Sequence, residues 1–240
     1  MADQLSLALD PELPRLPASL LPMLPQPADA PFDSVDHLFE PNWGGRRVLA
    51  FVDAGGGRRA GHVRIVAEPD VDVAAFLPEI RALAARLTAQ TAVLDGELVV
   101  VDRTGRADHA GLRARLRGEP GAVAAYLVSD LLYLDGRPLL GEALERRRRL
   151  LRTAIDWNDQ IVLVPAIAAE GRALFDAVVE QGLAGVMARE RQSPYLPGVR
   201  SGLWRFIERG ATAADEPPGT ETADQPVLAL IRRLPLEELW

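Results

Sequence analysis

The side chains of this 240-residue chain that could take part in chemistry are carboxylates, arginines and three histidines. All 27 residues of the Lys and Arg class are arginines, and the chain contains no cysteine. Because a guanidinium stays protonated and is a poor nucleophile, no Schiff base, pyridoxal attachment or lysyl-nucleotide intermediate can form here. The missing thiols exclude disulfides, thiol catalysis and Cys-ligated zinc or iron–sulfur sites.

The histidines do not form a site by their spacing. His37, His62 and His109 lie on separate segments, so we interpret them as surface or strand residues. The three aspartates between residues 29 and 36 are expected to be solvated or to cap an element. We therefore predict no metal site.

Four consecutive arginines, Arg146 to Arg149, have the composition of a nucleic-acid patch. Consecutive residues spread around a helix, however, and Leu144, Leu150 and Leu151 supply its buried stripe, so we predict a solvated face. Other arginines on predicted hairpins and a short helix could converge on a phosphate backbone. These are Arg58, Arg59, Arg64, Arg103, Arg106, Arg113, Arg115 and Arg117.

Four segments in chain order carry short motifs of charged residues and glycines. They are Phe39–Arg47, Leu94–Val99, Tyr126–Gly136 and Gly182–Arg189, the last followed by Ser193–Glu208. They resemble the motifs E-x-K-x-D-G-x-R, D-G-E-[IL]-V, Y-x-x-F-D-L-L-Y-L-x-G, G-x-E-G-[VI]-[VM]-x-K and S-x-Y-x-P-G-x-R-S-x-x-W-x-K-x-K of ATP-dependent DNA ligases. Their order across residues 20–208 is most similar to the ligase domain of bacterial end-joining ligases.

The resemblance implies an α+β fold: a ligase-type nucleotidyltransferase (adenylation) domain of two antiparallel sheets with flanking helices and a nucleotide cleft between them. In the family, an oligonucleotide-binding barrel follows this domain and closes over the nucleotide and the nicked duplex. Residues 211–240 are too few for that barrel, so we expect no OB-fold domain here.

The resemblance also implies which residues would act, and several of them are replaced. The nucleophilic Lys of the family falls on Asn42, whose amide nitrogen does not attack phosphorus, and the Asp two residues later falls on Gly44. The metal-associated Glu falls on Ala184, which offers no ligand to Mg²⁺. Two phosphate-neutralising Lys fall on Phe206 and Glu208. We therefore expect no catalytic residue and no bound metal.

Other positions keep the pattern: Glu40, Gly45, Arg47, Glu97 and Trp204. The resemblance implies a vestigial nucleotide cleft formed by Glu40, Arg47, Glu97, Ser129 (which replaces the Phe that stacks on adenine), Arg189 (which replaces a Lys), Trp204 and Arg205. Two interpretations stay open. Either these residues form packing contacts and ion pairs in an inactive cleft, or they bind ATP, AMP or another anion weakly and without a covalent bond. No tightly held cofactor is expected.

The elements that must position these motifs follow from hydrophobic periodicity. The runs Val48–Asp53 and Gly61–Val66 predict a hairpin around the glycines at 55–57. Further strands are predicted at 92–102, 122–133, 161–167, 186–191 and 203–208, and helices at 73–89, 108–117, 139–153 and 169–181. Because strands and helices do not alternate regularly, the pattern favours antiparallel α+β over a parallel Rossmann sheet.

Composition divides the chain into four parts. Residues 1–31 form a Pro-rich arm whose leucines we expect on the body, 32–210 the ligase-like domain, 211–225 a linker and 226–240 a short amphipathic tail. The tail is expected to dock either on the body or on a partner. Residues 211–240 carry six acidic residues and two arginines, so they supply −4 of the net charge of −7. Residues 1–210 therefore repel DNA less strongly than the total charge implies.

Taken together, the sequence predicts a catalytically inactive binding or scaffold component of bacterial DNA repair or end joining, in contact with DNA ends or a repair protein. One alternative is an active ATP-dependent ligase or nucleotidyltransferase of DNA repair and recombination with unusual chemistry. Another is a structural protein whose cleft is filled by side chains. With no run near 18 apolar residues and no positively charged leader, we predict a cytoplasmic protein without membrane contact.

Overall fold

The structure, a computed structural model, describes residues 16–56, 60–67, 71–103 and 105–210. The first half of the predicted arm, the predicted linker and the predicted tail lie outside these residues. In chain order the strands are β1 (Leu24–Pro27), β2 (Ser34–Asn42), β3 (Arg46–Asp53), β4 (His62–Ala67), β5 (Val71–Asp72), β6 (Thr91–Val99), β7 (Ala125–Leu134), β8 (Arg137–Pro138), β9 (Ile161–Leu163), β10 (Ile167–Ala169), β11 (Gly185–Glu190) and β12 (Arg200–Glu208). The helices are a 3₁₀ turn (Ala74–Phe76), α1 (Pro78–Arg81), α2 (Leu83–Arg86), α3 (His109–Leu116), α4 (Leu144–Ala154) and α5 (Gly171–Glu180).

The described strands form two sheets. The first has the order β1-β12-β11-β2-β10, and the second has the order β5-β4-β3-β6-β7-β8, with β9 paired to β7. The pairs are antiparallel except β1 with β12 and β7 with β9. Helix α5 packs on the first sheet and α4 on the second. This arrangement confirms the predicted α+β class with two largely antiparallel sheets.

The hairpin and the order of the larger elements follow the sequence prediction, and two elements do not. The predicted helix at 73–89 is broken into a 3₁₀ turn, α1 and α2. Pro78 lacks a backbone N–H, so it ends one segment and begins the next as a first helical residue. The predicted strand at 161–167 is interrupted because Pro165 cannot donate to a ladder, which leaves β9 and β10 in different sheets.

Two apolar clusters join the sheets. One contains Phe39 of β2 and Leu127 of β7 together with α5, and the other contains Trp204 of β12 and Phe51 of β3. The part of the arm that the structure describes adds to the second cluster: Met23 is fully buried, and leucines 16 and 20 pack against it. Because these two apolar clusters pack between the sheets, they fix the distance between the sheets and so the width of the cavity.

Candidate functional site

A cavity of about 130 Å³ lies between the two sheets. Its polar and charged lining comes from all four sequence motifs: Glu40, Asn42, Arg47, Asp95, Glu97, Ser129 and Arg189, with Trp204 on one wall. Backbone and apolar atoms of Pro41, Gly45, Gly96, Leu127, Val164 and Met187 complete it. The fold therefore brings the separated motifs together around one space.

The loop from Asn42 to Gly45 is folded around the carboxylate of Glu97. The Trp43 and Gly45 N–H groups donate to Glu97 at 3.1 and 3.0 Å, and Asn42 Nδ2 lies 3.4 Å from the same carboxylate. Asn42 Oδ1 accepts from the Gly44 N–H at 3.0 Å. Gly44 has φ +77°, a conformation that favours glycine. The side chain at position 42 thus shapes the loop and presents no nucleophile.

The environment of Glu97 changes its protonation. Removal from water raises the pKa of Glu97 to about 7, although the N–H groups of Trp43 and Gly45 and the charge of Arg47 act in the opposite direction. Near neutral pH this side chain is therefore only partly ionised. Its oxygens are already occupied by loop donors.

Arg47 is held by a bidentate ion pair at the back of the cavity. Its Nε and Nη2 lie 3.0 and 2.6 Å from the two oxygens of Asp95. Asp95 also accepts from the Tyr195 hydroxyl at 2.7 Å, and the Arg47 guanidinium lies 5.5 Å from the ring centre of Trp204. Planar pairing of this kind fixes the guanidinium in one orientation.

Glu40, only 1% exposed, is shared by two buried arginines. Arg148 of α4 and Arg189 of β11 each donate to one of its oxygens. Arg148 also donates to the Val164 carbonyl at 2.7 Å, and the Arg189 guanidinium lies 4.7 Å from the ring centre of Trp204. Arg189 therefore lines the cavity, but its positive charge is already paired with the carboxylate of Glu40.

The solvated face predicted for Arg146 to Arg149 is wrong for its two middle members. Arg147 is fully buried and pairs with both oxygens of Asp130 at 2.9 and 2.8 Å, and Arg148 is 4% exposed. These two arginines share a face of α4 with Leu144 and Leu151, which are also buried. Arg146 and Arg149 are exposed, as predicted.

Arg205 does not belong to the cavity, contrary to the sequence prediction. Successive side chains of a strand point to opposite faces, so Trp204 points inward and Arg205 outward. The exposed Arg205 guanidinium lies 5.4 Å from the ring centre of Phe32. Phe206 and Glu208 do not line the cavity either. Of the other predicted residues, Ser129 lies in the lining, with its hydroxyl 3.4 Å from the Asp95 carbonyl oxygen.

The residues at the site do not fit a covalently held adenylate or a Mg²⁺ ion. Position 42 has no amine. Ala184 has no side-chain ligand, and its backbone N–H donates to the Asn42 carbonyl at 3.0 Å. The described part of the chain contains no group of three or more His, Cys, Asp or Glu that could hold a metal. Within the same residues, no helix has the length and apolar character needed to cross a membrane.

Comparison with known proteins places this geometry in a family. A family model for the ATP-dependent DNA ligase domain matches residues 22–206. The multifunctional non-homologous end joining DNA repair protein LigD of Mycobacterium tuberculosis is 38% identical over 167 residues, which are 69% of this chain and 21% of that protein. The LigD protein of Mycolicibacterium smegmatis is 31% identical over 189 residues, or 78% of this chain and 24% of that protein.

The solved structure of a mycobacterial DNA ligase D complexed with ATP and MES superposes with a TM-score of 0.67 at 33% identity. The superposition covers 79% of this chain and 60% of that one. The chain thus spans about a fifth of the length of the curated relatives that it matches. It belongs to the ATP-dependent DNA ligase domain family, as an adenylation domain of the end-joining type.

Proposed function

We propose that this domain does not adenylate itself and acts as a DNA-end-binding component of bacterial DNA repair or end joining. The observation that carries the proposal is Asn42, whose amide occupies the nucleophile position and closes the loop over Glu97. An amide nitrogen has its lone pair in resonance with the carbonyl. Because the whole chain lacks lysine, no other residue can form the lysyl-nucleotide intermediate.

The charges around the cavity support the same conclusion. Phosphoryl transfer depends mainly on positioning and on cations that neutralise the transferred phosphoryl group. Here Arg47 is paired with Asp95, and Arg189 is paired with Glu40. Cations that are already neutralised offer little to a triphosphate. Weak, non-covalent binding of ATP or AMP remains a prediction.

The size of the cavity points in the same direction. Sites that enclose a drug-sized ligand are commonly about 300–1,000 Å³. The cavity measures about 130 Å³, and Arg47, Arg189 and Trp204 are among the side chains that line it. It has room for part of a nucleotide or a small anion, and little room for a whole ATP.

Binding to DNA is supported by two observations. Relatives over most of this domain are named end-joining DNA repair proteins. Next to the 42–45 loop, Arg46 and Arg113 are exposed, and neither guanidinium group makes a hydrogen bond or an ion pair with a described residue. Unpaired guanidinium groups are the side chains best suited to DNA phosphates.

Intact-mass measurement after incubation with ATP and Mg²⁺ tests the first half of the proposal. We expect no AMP adduct on the native chain, and none that is stable on the Asn42→Lys variant, because Ala184 still offers no metal ligand. An adduct on the native chain would overturn the proposal and establish the alternative, an active ligase with unusual chemistry.

Fluorescence anisotropy with a blunt-ended duplex tests the second half. We expect Arg46→Glu with Arg113→Glu to weaken binding about tenfold and to lower its salt dependence. Arg137→Glu is the control for each single reversal, Arg46→Glu and Arg113→Glu, because Arg137 is exposed at the far edge of the sheet that contains Arg46. Absence of any DNA binding, together with no repair-protein partner in a pull-down, would contradict the proposal. Titration calorimetry with ATP, AMP and pyrophosphate would then separate residual nucleotide binding from a purely structural role.

A further inference from the structure

A second, larger hollow, the α3 groove, opens beside the 42–45 loop, where α3 faces residues of β4 and β5. Its volume is about 410 Å³, which is within the range of sites that enclose small ligands. The described residues that line it include an apolar floor of Ala67, Val71, Leu112 and Leu116 and a rim of Arg46, His109 and Arg113. No carboxylate occurs among these described lining residues.

Helix α3 presents one stripe of side chains to the groove. His109, Leu112, Arg113 and Leu116 are three or four residues apart, so they share one face of the helix. Leu112 is buried and Leu116 is half-buried, whereas His109 and Arg113 are exposed. On the side of the sheet, Val71 of β5 is 51% exposed. The groove therefore combines accessible apolar surface with positive charge.

The two arginines of the groove can bind an anion, because neither guanidinium group makes a hydrogen bond or an ion pair with a described residue. Neighbouring arginines differ in this respect. Arg115, two residues after Arg113, pairs with Glu79 at 2.9 Å. Arg117 pairs with Glu119 at 2.8 Å. Of these three neighbours, Arg113 is the one that lines the groove and keeps its charge unpaired.

Two carboxylates flank the groove in the described sequence, and both are engaged by backbone groups. Asp72 accepts from two N–H groups at 3.0 and 2.9 Å. Asp108 caps α3 by accepting from the Gly111 N–H at 2.8 Å. Neither aspartate lines the groove. The described groove surface is therefore positively charged and complementary to an anionic ligand.

A ligand that uses the whole groove must carry a negative charge and an apolar face. The phosphates of an intact duplex can reach the arginines, but its bases are paired and stacked, so the floor would stay uncovered. An unpaired nucleotide at a DNA end supplies both parts: a phosphate for the guanidinium groups and a base that can lie against apolar side chains. Because that base is already unpaired, its placement requires little unstacking energy.

We propose that the α3 groove holds an unpaired nucleotide of a DNA overhang, with the base on the apolar floor and the phosphates at Arg46 and Arg113. The exposed ring of His109 belongs to the same helix face and offers the base a second surface. This inference rests on the proposed function and specifies its ligand: the domain prefers an end with a single-stranded overhang to a blunt end.

Fluorescence anisotropy of the full chain with three duplexes that differ only at one end tests the preference. One end is blunt, one carries a short thymine overhang, and one carries the same overhang without its bases. The abasic overhang adds the same phosphates, so it isolates the contribution of the base at constant salt. We expect the thymine overhang to bind at least about fivefold more tightly than the abasic one.

Each overhang is made with 3′ and with 5′ polarity, and a preference for the base in either polarity supports the proposal. Equal binding of thymine and abasic overhangs in both polarities would overturn it. The groove would then be left to another occupant, such as an apolar and acidic protein segment.

Variants of the floor test where the base lies. Val71→Ser and Leu116→Ser remove apolar surface without a change of charge. We expect each to lower binding of the thymine overhang toward the abasic value and to change blunt-end binding by less than about twofold. Val35→Ser is the matched control for Val71→Ser, because Val35 is 70% exposed on β2 of the other sheet.

Thermal unfolding of the floor variants checks that the fold is kept. Val71→Ser decides the test if Leu116→Ser unfolds the domain, because Val71 is half exposed in the native chain. A native preference for the thymine overhang in the folded floor variants would overturn the placement of the base.

The same duplexes separate this inference from the proposed function. Arg46→Glu with Arg113→Glu is expected to weaken binding of all three duplexes, because each offers phosphates to the arginines. If the native chain binds the three duplexes equally, the inference fails and DNA-end binding stands. If the native chain binds none of them, DNA-end binding fails and the inference fails with it.

Discussion

Arg148 and Glu40 form a buried ion pair that joins the two sheets across 108 residues of sequence. Arg148 also donates to the Ser129 carbonyl at 2.8 Å, so its guanidinium bridges β7 in one sheet and β2 in the other. Glu40 in addition holds Arg189 of β11. Residues at the positions of family nucleotide motifs therefore act here as internal ties between the walls of the cleft.

We expect Glu40→Gln to lower the free energy of unfolding by about 3–5 kcal/mol, because it leaves Arg148 and Arg189 buried without their counter-ion. Urea denaturation at constant pH measures this loss. The control is Glu119→Gln, which removes an ion pair with Arg117 that is more than half exposed. Exposed pairs contribute less than about 1 kcal/mol. Equal losses for the two variants would show that the Glu40 network does not stabilise the fold.

The neighbours Arg146 and Arg147 provide a sharper comparison on one helix. Arg147→Met leaves Asp130 buried without its bidentate partner, and we expect a loss of about 3–5 kcal/mol. Arg146→Met removes only an exposed contact with Glu142 at 3.3 Å, so its cost should stay below about 1 kcal/mol. Thermal and urea unfolding of both variants decide between a buried and a solvated arginine pair. Similar costs would restore the solvated face.

The buried arginines show where sequence reasoning succeeds and where it stops. Leu144 and Leu151 have the spacing of one helix face, and Arg147 and Arg148 lie between them, so the signal for their direction was present. What the sequence does not display is the partner. A buried arginine is stable only when it pairs with a carboxylate. The carboxylates here, Asp130 and Glu40, lie on strands that are distant in the sequence.

Motif order and strand periodicity explain most of the other agreements and differences between the predicted and the observed site. The four motifs predict most of the cavity lining. They resemble the motifs of one family, and residues at the same positions of a shared fold meet in the same cleft. Motif order alone predicts Arg205 in the cavity, but side chains alternate between the two faces of a strand, so Arg205 points away from Trp204. Pro78 breaks the helix predicted at 73–89. The apolar periodicity of these residues predicts one continuous helix and takes no account of the proline.

We expect that any side chain at position 45 lowers the free energy of unfolding, because the space around Gly45 is too small for a Cβ. A Cβ at this position would lie 2.2 Å from the Leu98 carbonyl oxygen and 2.6 Å from Val99 Cγ1. Gly45→Ala therefore forces the loop off β6 and is expected to cost about 1–3 kcal/mol. Gly141→Ala is the control, because nothing lies within 4 Å of its added methyl group. Chemical denaturation measures both, and an unaffected Gly45→Ala protein would contradict the close approach.

The last prediction concerns the pH dependence of stability through Glu97. Burial raises the pKa of Glu97 from 4.5 to about 7 in the folded chain. Between these two values the folded state binds more protons than the unfolded state, so this group makes stability fall as the pH rises. Because Glu97 is still partly exposed to the cavity, we expect a loss on the order of 2 kcal/mol between pH 5 and pH 8.

Glu97→Gln removes this titration and keeps one of the two acceptor oxygens, so it retains the hydrogen bond from either the Trp43 or the Gly45 N–H group and loses the other. The difference in unfolding free energy between native chain and variant should therefore shift against the native chain from pH 5 to pH 8. Any constant cost of the amide cancels in that comparison, because it does not depend on pH. Urea titrations of both proteins at the two pH values give the four free energies. Parallel pH profiles would mean that Glu97 titrates near its ordinary pKa and that the loop donors outweigh its burial.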